Sequence, residues 1–521
     1  MEKERKTQVM NGKKPLKMEH WAAIAALVFG LMTHMFGLVN VLHNWDSIAT
    51  PEGYAASATS GRWFLDVIAL VIRKPLVGSY TATWLTGILT IVFLALAAWV
   101  LTATLKLRSR GTAVALGMAL ASFPTVESTL MFRFTAPAYA IALVFSIGAV
   151  WFLREKKRRL VPGVALIICA MGIYQAYLPF TVALFVVCFL RDTLAGQEKG
   201  AEIFRKGLRA CLAILLGVIG YIFLTRLIVK LSGQVLDSYQ GLDQMGQVPL
   251  RNLPGRMAQA FLGFFTMPAD SYDLLQSTFM ELVFYGTLAL GLGVTVWRLL
   301  RLRRLDLALL AGFLWLALPL AVNFIVVMGP EYIYTLMVYP YVLVMLLPLL
   351  LLEVCPLPEG KLARAVKKGV SLALVVWISC NVYYTNVNYQ IQHFTTRQTE
   401  NYAAALVTQV RMTEGFTPDK TWAFLGKVDD PLLDNYWVEM NDYFGYGGNS
   451  TAPGLLRNYS WDRWLAYYTG YTVPVATEAE LEALYQLEQV RNMPQWPAYG
   501  SVQAVGEYMV IKFEPLEPIT P

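Results

Sequence analysis

Residues 21–32 read Trp21-Ala22-Ala23-Ile24-Ala25-Ala26-Leu27-Val28-Phe29-Gly30-Leu31-Met32, and residues 33–42 add no Lys, Arg, Asp or Glu before His43-Asn44-Trp45-Asp46-Ser47. A run of that length at about 1.5 Å per residue crosses a hydrocarbon layer of about 30 Å. Lys3, Arg5, Lys6, Lys13, Lys14 and Lys17 precede it, and no small-residue cleavage pattern follows, so the run reads as a retained first span with its N-terminus in the cytoplasm. The carboxylate of Asp46 then falls at the outer face.

The rest of the chain repeats the theme. With 56% hydrophobic residues, 15% charged residues and a mean hydropathy of +0.47, its 521 residues are too apolar for a soluble protein. Apolar runs and basic clusters together predict about eleven spans, at roughly 21–42, 79–104, 112–126, 134–153, 160–174, 176–190, 208–229, 275–297, 306–327, 333–353 and 369–386. Lys106/Arg108/Arg110, Arg154 to Arg159, Arg191 to Arg209, Arg298 to Arg304 and Lys361 to Lys368 mark the cytoplasmic linkers. An odd number of spans carries the remainder outside.

From residue 387 to the end, eight Lys or Arg face sixteen Asp or Glu, whereas the whole chain is +7. The organisation expected is a cytoplasmic basic segment at 1–20, a multi-span domain at 21–386 and an extracytoplasmic domain at 387–521. The turn-rich Phe444-Gly445-Tyr446-Gly447-Gly448-Asn449, the helical run Glu478 to Val490 and the alternating Glu507 to Phe513 predict a small α/β fold for this last part. Two amphipathic helices too short to span are expected in outer loops, near 62–74 and near 256–267, the second carrying Met257, Ala260, Phe261, Phe264 and Phe265 on one face.

Cys169, Cys188, Cys211, Cys355 and Cys380 lie in or beside spans, giving neither a disulfide framework nor zinc-type spacing. No structural metal is expected, and a divalent ion held loosely between carboxylates and a lipid phosphate is the one metal compatible with these residues. Nucleic acid is not an expected partner.

Four short stretches carry a family resemblance: Asn44-Trp45-Asp46-Ser47, Ser60-Gly61-Arg62-Trp63, Gly172-Ile173-Tyr174-Gln175-Ala176, and Met493-Pro494-Gln495-Trp496-Pro497-Ala498-Tyr499-Gly500-Ser501. In their order the chain resembles the Gtr-type glucosyltransferase II proteins, bacterial membrane enzymes of the GT-C superfamily. The resemblance implies a GT-C-like helical membrane fold in the plasma membrane, a polyprenyl-phosphate-linked hexose as donor, inversion at the anomeric carbon and a surface polysaccharide or glycolipid as acceptor. It also implies Asp46 as the catalytic base.

The residues agree in kind with that chemistry. An attacking hydroxyl must lose a proton, and the oxocarbenium-like centre is favoured by a nearby carboxylate. A departing phosphate calls for a planar, permanently charged fork, which points to Arg62 first, then Arg133 and Arg256, with Arg226 deeper in its span and able to snorkel. Glu127, Glu331, Tyr174 and Gln175 are the candidates for holding sugar or acceptor.

Each has a plainer alternative: a helix cap for Asp46, headgroup anchoring for the arginines, a water-boundary charge for Glu127 and Glu331, and a turn between two short spans for Tyr174-Gln175. Trp422, Trp437, Trp461, Trp464 and Trp496 invite sugar stacking, but core packing accounts for most of them. The rival function is a transporter or flippase of lipid-linked sugars, which favours internal repeats and mid-bilayer polar groups over charges gathered at outer span ends. The orientation is testable by labelling: in intact cells an Asn449→Cys variant should react with a membrane-impermeant thiol reagent and a Lys157→Cys variant should not.

Overall fold

The computed structural model describes residues 16–42, 44–49, 58–73, 83–155, 159–236, 250–270, 274–275, 277–329, 333–355, 357–358, 360–428, 456 and 460–514. Among them nine helices are long and apolar enough to cross a membrane, and the shorter apolar helices Leu160–Ile173 and Tyr341–Val354 occupy two further expected positions. Each of the eleven apolar runs is therefore helical, and the chain is a multi-pass membrane protein. Helices dominate because a backbone at membrane depth has no water to bond, so its N–H and C=O groups must pair within the segment.

By its contacts the chain divides into two units, one of Met1–Leu38 with Gly53–Asn386 and one of Val39–Glu52 with Val387–Pro521. The division at Asn386/Val387 falls inside a single helix, Lys361–Met412, which continues well past the expected end of the last span.

In the first unit the basic linkers do more than mark a side. The last carbonyls of a helix have no intrahelical donor, and a guanidinium offers five N–H groups to meet them. Arg191, buried, donates to the carbonyl of Leu105 and, from Nε at 3.2 Å, to that of Leu350, so it ties together the ends of two other helices. Arg154 reaches the Thr104 carbonyl at 3.2 Å and grips both oxygens of Asp192 at 2.7 and 2.8 Å. Arg298 donates to Leu194 O at 2.9 Å and Arg304 to Gly196 O at 3.3 Å. Glu353 closes the set: Oε1 accepts from the backbone N–H of Arg108 and Ser109, and Oε2 lies 4.0 Å from Arg191.

Helices approach one another closely where a side chain is missing. A Cβ on Gly117 of Arg110–Ser122 would collide with the Ala22 carbonyl of Met18–Val39, so this contact requires glycine.

The second unit is built on a three-stranded sheet of order β1-β3-β2, with β1 (Thr421–Leu425) parallel to β3 (Tyr508–Lys512) and β2 (Val502–Val505) antiparallel to it. Side chains alternate across it, and both faces are covered. Trp422, Phe424, Met509 and Ile511 pack with Tyr402, Leu406 and Val410 of the long helix and with Trp461 and Trp464. Ala423, Leu425 and Val510 pack on the other face with Leu484 and Val490. The helical run expected at Glu478 to Val490 is observed as Glu478–Tyr485, started by a capping box from Thr477 and Glu480, and Glu488–Arg491. The turn expected at Phe444 to Asn449 lies outside the described residues.

Removing Arg191 takes a donor from the Leu105 and Leu350 carbonyls and the neighbouring cation from the Glu353 carboxylate. Arg191→Ala is expected to destabilise the detergent-solubilised protein by about 3–5 kcal/mol, the range for breaking a buried charge pair from one side, and to lower its thermal midpoint. The measurement is a thermal unfolding series beside a surface control such as Arg397→Ala.

Candidate functional site

The turn Ser60-Gly61-Arg62-Trp63 is held from three directions before it enters the short helix Phe64–Ile68. Gly61 has φ +72°, a left-handed conformation that glycine adopts without strain. A Cβ there would also stand 2.5 Å from the Tyr221 hydroxyl and 2.9 Å from Gln175 Nε2. Gln175 Nε2 donates to Ser60 O at 3.1 Å and to the Tyr221 hydroxyl at 2.7 Å, and that hydroxyl donates in turn to Gly61 O at 3.2 Å. Trp63 Nε1 donates to Thr225 Oγ1 at 3.1 Å.

Tyr221 and Thr225 stand four residues apart on one face of the helix Gly200–Ser232. The indole of Trp63 lies flush on Gly172, where any Cβ would come within 2.9 Å of the ring. The stretches 60–63 and 172–176, far apart in sequence, thus form one packed body.

Arg62, half-buried, is what this frame presents. Its Nη1 donates to the Tyr139 hydroxyl at 3.3 Å, and its Cζ lies 4.7 Å over the ring of Tyr174. Tyr139 and Tyr174 are themselves stacked, with centroids 4.7 Å apart and planes within 5°, while Tyr177 packs edge-on against both. Tyr174 leaves the helix Leu160–Ile173 in an extended conformation, and Gln175–Tyr177 forms one 3-10 turn before Leu178–Ala195 begins. This break is wholly enclosed by protein, the condition under which non-helical backbone is tolerated at membrane depth. Gln175 Oε1 is buried there and accepts no hydrogen bond.

Of the expected site residues the structure therefore brings Arg62, Tyr174 and Gln175 together. Arg133 is buried to 1% exposure, with Nη2 donating to Gly37 O at 2.9 Å and room for the guanidinium left by Gly87. Glu127 is fully buried in the first turn of Pro124–Met131, an end of a helix that favours a carboxylate. Arg256, half-buried on Leu253–Asp270, donates to Val326 O at 3.3 Å. Glu331 lies outside the described residues.

Asp46 belongs to the second unit. It sits half-buried in the first turn of the helix Trp45–Ala49, whose cap is Asn44: Asn44 Oδ1 accepts from the Ser47 N–H at 3.1 Å and from its hydroxyl at 3.3 Å. The capping role is thus filled without the Asp46 carboxylate. Ile48, two residues on, is buried with Trp461 and Trp464. Trp422, Trp461 and Trp464 are core residues, Phe424 stacking on Trp461 at 4.2 Å, while Trp496 is half-buried and edge-on to Tyr402. His43 and Trp437 lie outside the described residues.

Tyr139, Tyr221 and Thr225 were not among the sequence candidates. Their signal is faint: Tyr221 and Thr225 are polar groups at helical spacing within a long apolar helix, and Tyr139 stands in the first turn of Ala136–Glu155.

A family model described as Glucosyl transferase GtrII matches residues 35–351. It takes in Asp46, Arg62, Glu127, Arg133, Tyr174, Gln175, Arg256 and Glu331, and it ends before Met493–Ser501. No curated protein and no solved structure matches the chain.

The Gly172 contact yields a direct expectation. Gly172→Leu should displace Trp63, break its bond to Thr225 and destabilise the turn by about 1–3 kcal/mol, the cost of overpacking a filled site. Trp63 fluorescence in a variant lacking the other tryptophans of the first unit should shift towards an exposed spectrum.

Proposed function

Because the chain belongs to the glucosyl transferase GtrII family and is a membrane glucosyltransferase, we propose that it moves a hexose, glucose by the family's description, from a polyprenyl-phosphate carrier to a cell-surface polysaccharide or glycolipid. The reading places transfer at the outer face of the bacterial plasma membrane, with inversion at the anomeric carbon. The acceptor oxygen attacks that carbon, the bond from carbon to the carrier's phosphate oxygen breaks, and the lipid phosphate departs with the electron pair.

In this reading Asp46 takes the acceptor's proton. Arg62, with Arg133 and Arg256 as the other arginines considered, meets the charge that grows on the phosphate. Gln175, Tyr174, Glu127 and Glu331 serve sugar and acceptor hydroxyls. The observation that supports it most is Arg62 itself: a half-buried guanidinium that meets the Tyr139 hydroxyl and the Tyr174 ring, carried on a turn that Gln175 and Tyr221 bond.

Assays in proteoliposomes with synthetic polyprenyl-phosphate hexoses test donor and sugar together. Arg62→Lys keeps the charge but not the fork, and the donor-dependent rate should fall roughly tenfold to a thousandfold. Asp46→Asn should insert normally, retain donor affinity and lose at least about a hundredfold in turnover, the usual share of a general base. Wild-type turnover in an inserted Asp46→Asn protein removes Asp46 as the base, and Glu127 then becomes the carboxylate to test.

A further inference from the structure

Arg62 could reach a phosphate only from a defined position, because an arginine side chain has four rotatable bonds and loses rotamer freedom when fixed. In this fold two tyrosines contribute to that restraint. The Tyr139 hydroxyl accepts from Nη1 at 3.3 Å, and the Tyr174 ring lies beneath Cζ at 4.7 Å. The two rings are stacked on each other and braced edge-on by Tyr177. Both are buried, at 4% and 2% exposure, so neither moves without disturbing the helices that carry it. The backbone of Arg62 is fixed independently, through the Gln175 and Tyr221 bonds to Ser60 and Gly61 and through Trp63 on Gly172.

We infer that Tyr139 is a positioning residue for the glycosyl donor: acting with the face of Tyr174, its hydroxyl holds the Arg62 guanidinium in the pose in which it meets the donor's phosphate. The inference rests on the assignment of Arg62 to the phosphate. Tyr139 touches neither substrate nor reacting atoms and acts only through Arg62. Its hydroxyl serves as an acceptor here, which phenylalanine cannot supply, while the ring needed for the stack is the same in both.

The experiment is a double-mutant cycle on the full-length protein in proteoliposomes, with synthetic polyprenyl-phosphate glucose as the varied substrate. Tyr139→Phe should reduce kcat/KM for the donor roughly tenfold to a hundredfold, the range for a hydrogen bond to a charged group, and leave the acceptor KM and the folded yield unchanged. In an Arg62→Ala background the same substitution should change donor kinetics less than about twofold.

Donor kinetics of Tyr139→Phe equal to wild type, or an equal loss with and without Arg62, overturns the inference while the assignment of Arg62 stands. Arg62→Ala with unimpaired donor kinetics overturns that assignment and the inference with it.

Discussion

Arginine N–H groups directed at backbone carbonyls are the interaction on which the membrane unit depends. The last carbonyls of a helix have no intrahelical donor, and meeting them matters more the less water reaches them. Arg154, Arg191, Arg298 and Arg304 meet such carbonyls on Thr104, Leu105, Leu350, Leu194 and Gly196, joining helices whose apolar faces alone have no strong preference for one another over lipid. The same device recurs with Arg133 on Gly37 and Arg256 on Val326. Arg62 differs in that its guanidinium meets two tyrosines, through the Tyr139 hydroxyl and the Tyr174 ring.

The apolar runs were legible because length and composition alone decide whether a helix can cross a bilayer, and eleven helices stand where they read. The last span was legible only in its first half. Beyond Asn386 the helix continues with Tyr402, Leu406 and Val410 turned into the sheet's core, a soluble amphipathic pattern that no hydropathy threshold registers as the same element. In the tail, β3 was read as a strand and β1 was not, although the two are buried alike from their second residue to their last.

The site was legible as residue types and not as partners. Arg62 could be singled out as a guanidinium in the loop of Asp46, and Tyr174-Gln175 as the interruption of a long apolar run. That Gln175 would bond Ser60, or that Trp63 would rest on Gly172, depends on the packing of three helices and has no local signature. Tyr139 was invisible for a simpler reason: one tyrosine in an apolar helix is ordinary until the arginine it faces is known. The aromatic residues of the tail show the converse, since Trp461 and Trp464 look like ligand surfaces in sequence and are core in the fold.

The bond between Trp63 and Thr225 spans 162 residues of sequence. At about 5–20 residues per second a ribosome needs roughly 8–30 s to make that interval. During it the 58–63 turn exists without the helix that will receive its tryptophan and its glycine carbonyl. The arginine turn is therefore among the late events of biogenesis, set only after the Gly200–Ser232 helix has entered the membrane. A chain stalled or cleaved before residue 221 lacks the side chains that receive the Trp63 indole and bond the Gly61 carbonyl, so its 60–63 turn has lost two of its supports.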